Sequence, residues 1–423
     1  MTYHNAIKFI KNSPNIIPNE GSSSERISKL LAALGNPQKR IKYIRLAGNN
    51  GKTVTARMLI SIMNKAGIAN GCLSMPIYTE IRDNVRINGE PITMSETVDY
   101  VEQICHATAS INKEYSQYGT VFRPTMHEIM LCIALLAFAE HKCSVCMLES
   151  DHIGEDPSRF LPPPFAAVIC GRIPNGDVRE ISKIRSYICR GIREIISVPQ
   201  DQEAYKIISD TCFSANCRLT IPARNKFEIK RLSLRGTDFS YKDNDYSLRL
   251  CGKFQTENAL VAIETAEMLV RCGYKIDAKS IKEGLATVTA PCKFEVLSLS
   301  PTIIADSTHS EVAIGAICDS LADFKEMTGT KVRLCLPEGE LIQKYIDALE
   351  GRGYSIGKIS ALALEYPEDE KPEYSLPVNS FKTVKLTAKD ALSELSHDEI
   401  LLISGHSNFT RKLRYELLAM LGF

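Results

Sequence analysis

The sequence predicts an α/β protein: a P-loop-type, mostly parallel sheet domain with a small antiparallel patch, followed by a smaller Rossmann-like α/β domain. Three observations predict it. The stretch 41–60, IKYIRLAGNNGKTVTARMLI, reads strand, glycine-bearing loop, helix. Short apolar runs rich in β-formers alternate with helical patterns along most of the chain, as parallel sheets covered on both faces require. After residue 292 that alternation restarts without a second glycine-rich loop.

The 423 residues are enough for two or three domains with sizeable cores. Apolar residues make up 44% and charged residues 24%, ordinary for a globular chain. A formal net charge of +1 gives no global field directed at nucleic acid or a membrane surface. No window approaches the run of about 18 apolar residues that a membrane span needs. The N-terminus, MTYHNAIKFIKNSPN, lacks the apolar core of a secretory signal. Fourteen cysteines are scattered singly, apart from Cys143 and Cys146. On a strand those two thiols fall on opposite faces of the pleat, so they read as small buried hydrophobes in a reducing, cytoplasmic setting.

Ile41, Tyr43, Ile44 and Leu46 form the strand before the loop. Gly48 and Gly51 permit a tight turn and close backbone approach to a ligand. Lys52 and Thr53 open a helix whose first amides have no intrahelical partner and carry the positive end of the dipole. That geometry suits a phosphate. The usual pattern G-x-x-x-x-G-K-[ST] would place its first glycine at Leu46; Gly48 gives the tighter Gly-x-x-Gly-Lys-Thr instead. A plain strand-to-helix turn is the other reading, and the strand ahead of the loop favours the phosphate.

Helices are expected over 4–12, 22–34, where a serine cap precedes Ile27, Leu30, Leu31 and Leu34, and 53–66. Residues 72–74 read as a short second strand and PIYTEIRDNVRINGEPITMSE as a mobile-looking connection. Two more helices follow, 95–111 and one from Pro124, the second strongly apolar. Three buried strands come next: SVCMLE, ending at Glu149, then FAAVIC and EIISV. Ligands in such sheets bind at the carboxyl ends of the strands, which puts Glu149 on the edge of the phosphate loop. Residues 213–250 alternate and carry turn residues, the signature of a small antiparallel patch. A helix runs from Gly252 to Leu269. The division between domains is expected at 292/293, giving 1–292 and 293–423.

LLAALGNPQKRIKYIRLAGNNGKT, VRINGEPI, CMLES, GKFQTENALVAIETA, KFEVLSLSPTIIADSTHSEVA and SGHSNF follow one another in this order over nearly the whole chain. Together they resemble the folylpolyglutamate synthase and dihydrofolate synthase family of the Mur ligase superfamily. The resemblance implies an ATP-dependent ligase that phosphorylates a folate-type carboxylate and lets the amine of glutamate displace phosphate. It implies ATP phosphates on Gly48, Asn49, Asn50, Gly51, Lys52 and Thr53, and Mg2+ on Thr53 and Glu149. Asn258 would contact adenine or position the nucleotide. Lys293 would stand where the family has an arginine, keeping charge without the bidentate fork. Asp306 and His309 would close over the nucleotide or the amino acid; the plainer reading of Asp306 is a helix cap. Lys52, Glu149 and His309 are the candidate catalytic set.

The departures cluster at the chemistry. Asn49 replaces a threonine and Thr53-Val54 a Gly-Ser pair. Glu149 is followed by SDHIGEDPSRF, and CGRIPNGDVRE lacks the family's metal-binding histidine, for which His152 is a possible substitute. Cys189 aligns with a lysine that the family carbamylates, with Arg190 beside it; Met75 aligns with a serine, Ser74 being one residue away; Ser310 replaces an asparagine. A nucleotide-binding paralogue with a regulatory or partner role, or a Mur-type ligase with another acceptor, are therefore the alternative readings.

Overall fold

The computed structural model describes residues 1–15, 23–75, 80–115, 121–149, 156–174, 176–189, 191–307, 310–324, 331–337, 341–361, 392, 395 and 399–422. His152, Arg190, His309, the serine expected to cap the second helix at position 22, and the helix expected near 387–395, apart from two of its residues, lie outside them. The chain forms two compact units: residues 1–224 with 257–285, and residues 225–256 with 286–423. The expected division at 292/293 leaves the antiparallel patch in the first domain, whereas the second unit takes it in. The reason is packing: Leu234 and Cys251 of the patch are buried in one core with Phe294, Ile304 and Leu334.

In the first unit an eight-stranded sheet runs in the order β4-β3-β2-β5-β1-β6-β7-β8. Its strands are β1 Tyr43–Ala47, β2 Asn70–Leu73, β3 Val85–Ile87, β4 Glu90–Pro91, β5 Val145–Glu149, β6 Ala166–Ile169, β7 Glu194–Ser197 and β8 Arg218–Thr220. Strand β1 is central and pairs in parallel with β5 and β6. It is buried along its whole length, which accounts for a nearly continuous apolar run. Later strands are added to one side of β1 up to β5 and to the other side from β6. The chain therefore switches direction beside β1, and the crevice at such a switch is where α/β sheets bind ligands.

Helices α1 Tyr3–Lys11, α2 Ser23–Ala33, α4 Met94–Tyr115 and α5 Met126–Glu140 contribute to one core, with Ile27, Tyr100, Leu135 and Phe138 at its centre. Helix α5 is apolar almost all round and correspondingly buried. It starts at a capping box between Thr125 and Glu128, and Glu128 also pairs with buried Arg26 at 3.2 Å. Helices α6 Val178–Tyr187 and α7 Gln202–Ala215 contribute to a second core with Ala47, Ile169 and Ile195. Helix α3, Lys52–Lys65, follows the glycine-bearing loop.

Three local expectations are corrected. The connection after β2 holds the β3–β4 hairpin, turned by Asn88 and Gly89 at φ +50° and +89°; Asn-Gly is the residue pair that such a turn selects. The antiparallel patch is narrower than 213–250: α7 runs to Ala215, and β8 joins the large sheet in parallel with β7. Cys143 lies in the turn before β5 rather than on it, and its thiol hydrogen-bonds that of Cys146 instead of pointing to the opposite face. That contact draws Cys143 down and pushes Cys146 up; both remain free thiols.

The second unit contains a three-stranded antiparallel sheet of β9 Phe227–Ser233, β10 Gly236–Tyr241 and β11 Asn244–Leu248. It also contains a five-stranded sheet ordered β12-β13-β16-β14-β15: β12 Glu295–Leu299, β13 Thr302–Asp306, β14 Lys331–Leu336, β15 Ser355–Ala361 and β16 Glu399–Ser404. The last four are parallel and β12 is an antiparallel edge strand that the sequence reading did not separate. Helices α10 Glu311–Asp323, α11 Leu341–Glu350 and α12 Ser407–Leu421 complete the Rossmann-like unit. Helices α8 Lys253–Arg271 and α9 Ala278–Thr287 span the intervening chain. Among the described residues, no helix is long and apolar enough to cross a membrane.

Candidate active site

The site begins with two glycines. Gly48 leaves β1 at φ +108°, and a Cβ there would stand 1.9 Å from the Cys170 carbonyl oxygen. Gly51 precedes α3 at φ +83°, and its Cβ would stand 2.3 Å from Asn258 Oδ1. Both positions demand glycine because left-handed backbone and tight approach coincide. Gly171, two residues after β6, also approaches the loop, where its Cβ would stand 2.9 Å from the Asn50 carbonyl oxygen. The loop is thus held from one side by the turn after β6 and from the other by Asn258 in the second turn of α8. Asn49 is exposed and Asn50 half-buried.

Lys52 is the first residue of α3 and is 6% exposed. Its Nζ donates to the Gly48 carbonyl at 2.6 Å, folding the ammonium back over the loop. Burial pulls its pKa down to about 8, with the Glu149 carboxylate opposing. Next to it, the Thr53 hydroxyl donates to Glu149 Oε2 at 2.9 Å. Glu149 ends β5, beside Leu46 of β1 in the strand register. Parallel pairing with β1 is what carries this acid to the loop's edge of the sheet. A hydroxyl and a carboxylate side by side are oxygen donors of the kind Mg2+ takes, so the residues present fit that ion.

Two groups near Lys52 escaped the sequence reading. Glu180, on α6, is buried; burial raises its pKa while Lys183 and Lys52 oppose. Its signal was present: Glu180, Ile184 and Tyr187 share one face of α6, a carboxylate on an otherwise apolar stripe. Lys183 is the other, and its charge contributes to lowering Lys52.

The remaining expected residues stand elsewhere. Cys189 follows α6 and precedes β7, at the amino edge of the sheet, the edge opposite Glu149. Burial raises its pKa and Arg45 opposes. Met75 is buried in the core with Tyr100 and Ile129, and Ser74 hydrogen-bonds the backbone of Asn84. In the second unit, Asp306 closes β13 and its Oδ2 accepts the Phe294 amide at 2.7 Å. It does not cap the following helix; Ser310 does, accepting from the Ala313 amide. Lys293 lies one residue before Phe294, and its carbonyl accepts from Gln255 at 3.3 Å. Among the described residues, no cluster of three or more His, Cys, Asp or Glu side chains is placed to hold a metal.

No protein-family model matches the chain. It is 25% identical over 421 residues to a dihydrofolate synthase/folylpolyglutamate synthase of Bacillus subtilis, covering 93% of this chain and 94% of that protein. It is 26% identical over 341 residues to a probable bifunctional folylpolyglutamate synthase/dihydropteroate synthase of Halobacterium salinarum, spanning 77% of this chain but only 40% of that longer protein. In structure it matches folylpolyglutamate synthetase from Lactobacillus casei, with a TM-score of 0.79 at 20% identity over 99% of this chain and 100% of that one. The synthase from Thermotoga maritima gives 0.80 at 21% identity, over 99% and 96%. The curated relatives and structural neighbours of this chain are folylpolyglutamate and dihydrofolate synthases, of the Mur ligase superfamily.

Proposed function

We propose that this chain is an ATP-dependent C–N ligase that joins glutamate to a folate-type carboxylate through an acyl phosphate. The observation that carries it is the phosphate loop at the carboxyl end of β1, with buried Lys52 and the Thr53–Glu149 pair on the same edge. The relatives support it by name, and one structural neighbour is a complex of such a synthase with AMPPCP and folate.

In this reading the open amides at the start of α3 and the Lys52 ammonium bind the nucleotide phosphates. Phosphate charge would draw the Lys52 proton back on, so the lysine that burial weakens is restored by the ligand. Thr53 and Glu149 would hold Mg2+, which when bound neutralises charge on the phosphate oxygens. Asn258, fixed against Gly51, would position the nucleotide. Lys293 would add charge near the nucleotide phosphates, and Asp306 and His309 would close over the nucleotide or the amino acid. The chain's task is to position reactants and neutralise charge.

The test is ADP release with folate, dihydropteroate and peptidoglycan-precursor acceptors plus glutamate, with and without Mg2+. We expect Mg2+-dependent ADP release with a folate-type acceptor, lost in Lys52→Ala. ATP binding without turnover on any acceptor would overturn ligase activity. It would favour the second reading, a nucleotide-binding paralogue, whose motivation is Cys189 standing at the position aligned with the family lysine.

A further inference from the structure

We propose that a small cavity at the amino edge of the large sheet binds an oxyanion, one phosphate, sulfate or carboxylate group, on Arg45. This site is separate from the phosphate loop. It is reached past Pro163 and Pro164, which lead into β6, and past Cys189, which leads into β7. The loop lies beyond the other end of the same strands.

Arg45 is the central residue of β1 and is 3% exposed. A guanidinium so deeply buried is costly unless its charge and its donors are matched. Part of the match is visible. Nη2 donates to the Ser158 carbonyl at 2.6 Å, and the Tyr187 ring centroid lies 4.4 Å from the guanidinium carbon. Asp156 is the nearest acid, but its Oδ2 stands 3.6 Å from Nη1, outside hydrogen-bond distance. Its oxygens are already engaged: Oδ1 accepts from the Ser158 amide and hydroxyl at 3.0 and 2.6 Å, and Oδ2 from the Tyr187 hydroxyl at 3.2 Å. Arg45 Nε and Nη1 make no close hydrogen bond to a described residue, the Tyr43 hydroxyl being the further polar group that interacts with the guanidinium.

Arg45 lines a cavity of about 50 Å³ together with Tyr43, Arg159, Ser186 and Cys189. That is room for a few water-sized atoms, a single oxyanion rather than a nucleotide. Among the described lining residues, none is acidic. Arg159 is exposed and adds a second guanidinium at the mouth. Buried donors without a close acceptor, the positive charge that Arg159 adds beyond the Arg45–Asp156 pair, and a matching volume coincide at one point, and an anion suits all three.

The test reads Cys189, a half-buried thiol in the wall of the cavity. Its alkylation by iodoacetamide is followed by peptide mass mapping while inorganic phosphate is titrated at constant ionic strength against chloride. Parallel titrations use sulfate and acetate, to separate a tetrahedral from a carboxylate ligand. We expect Cys189 alkylation to slow at least fivefold and saturably with one of these anions and not with chloride. The protection should persist in Lys52→Ala, which disables the loop. It should need at least tenfold more anion in Arg159→Glu, a surface change whose folding is checked by thermal melting. Equal effects of all anions, an unchanged midpoint in Arg159→Glu, or loss of protection in Lys52→Ala would each overturn the proposal.

Discussion

The Thr53 hydroxyl donates to Glu149 Oε2 at 2.9 Å, joining the start of α3 to the end of β5 across 96 residues of chain. The pair is the point where the glycine-bearing loop meets an acid suited to a hard cation. Thr53→Val removes the oxygen and keeps the shape. We expect it to raise the Mg2+ concentration for half-maximal ADP release by about 10- to 100-fold, with Thr53→Ser close to wild type. Equal Mg2+ dependence in all three proteins would show that the hydroxyl serves only to orient Glu149.

Lys52 makes stability depend on alkaline pH. Its pKa in the folded chain is about 8, below the ordinary 10.5, because burial disfavours the ammonium. Between those values the unfolded chain binds more protons than the folded one, so stability rises with pH across that window. Below pH 8 the buried charge costs on the order of 3 kcal/mol. Lys52→Met should therefore be the more stable protein at pH 7 in urea unfolding, with the gap closing toward pH 10. ATP binding near pH 9 should take up a proton, read by calorimetry in buffers of different ionisation enthalpy.

Gly51 and Asn258 should be energetically coupled. Gly51→Ala meets both a left-handed backbone, which costs about 1–2 kcal/mol, and the Asn258 side chain. Asn258→Ala relieves only the second. The double variant should be less destabilised than the sum of the singles by about 0.5–3 kcal/mol in urea midpoints. Strict additivity would mean that the loop, not Asn258, moves aside.

In the second unit, buried Arg333 pairs with Glu399 at 3.0 Å. Glu399→Gln leaves the guanidinium without its counter-charge and should cost about 3–5 kcal/mol. Replacing both by Met and Leu should cost much less. A single variant as stable as the double would show that water reaches the pair.

What the sequence made legible was local. The β1–loop–α3 unit and the strand ending at Glu149 are encoded within a few residues of themselves, as is the alternation of the second unit. The β3–β4 hairpin was missed despite the Asn88-Gly89 signal, because its flanking strands are only two or three residues long. Strand β8 was drawn into the antiparallel patch because a lone edge strand and a hairpin strand have the same alternation. Arg45 could not be read as a buried cation, since its partners Ser158, Asp156 and Tyr187 are more than 100 residues away. Asn258 likewise meets Gly51 only through the fold.

The division of the chain has a consequence for the order of synthesis. Residues 257–285 belong to the first unit, although residues 225–256 of the second precede them. A ribosome that has released residue 224 has therefore not released Asn258, nor Gly284, whose carbonyl accepts from Ser61 at 2.8 Å. At about 5–20 residues per second, the nascent first unit waits several seconds for its last segment. Chains truncated at 224 should emerge with the loop at 48–53 unsupported by Asn258, whereas the first unit's own residues are all present by position 285.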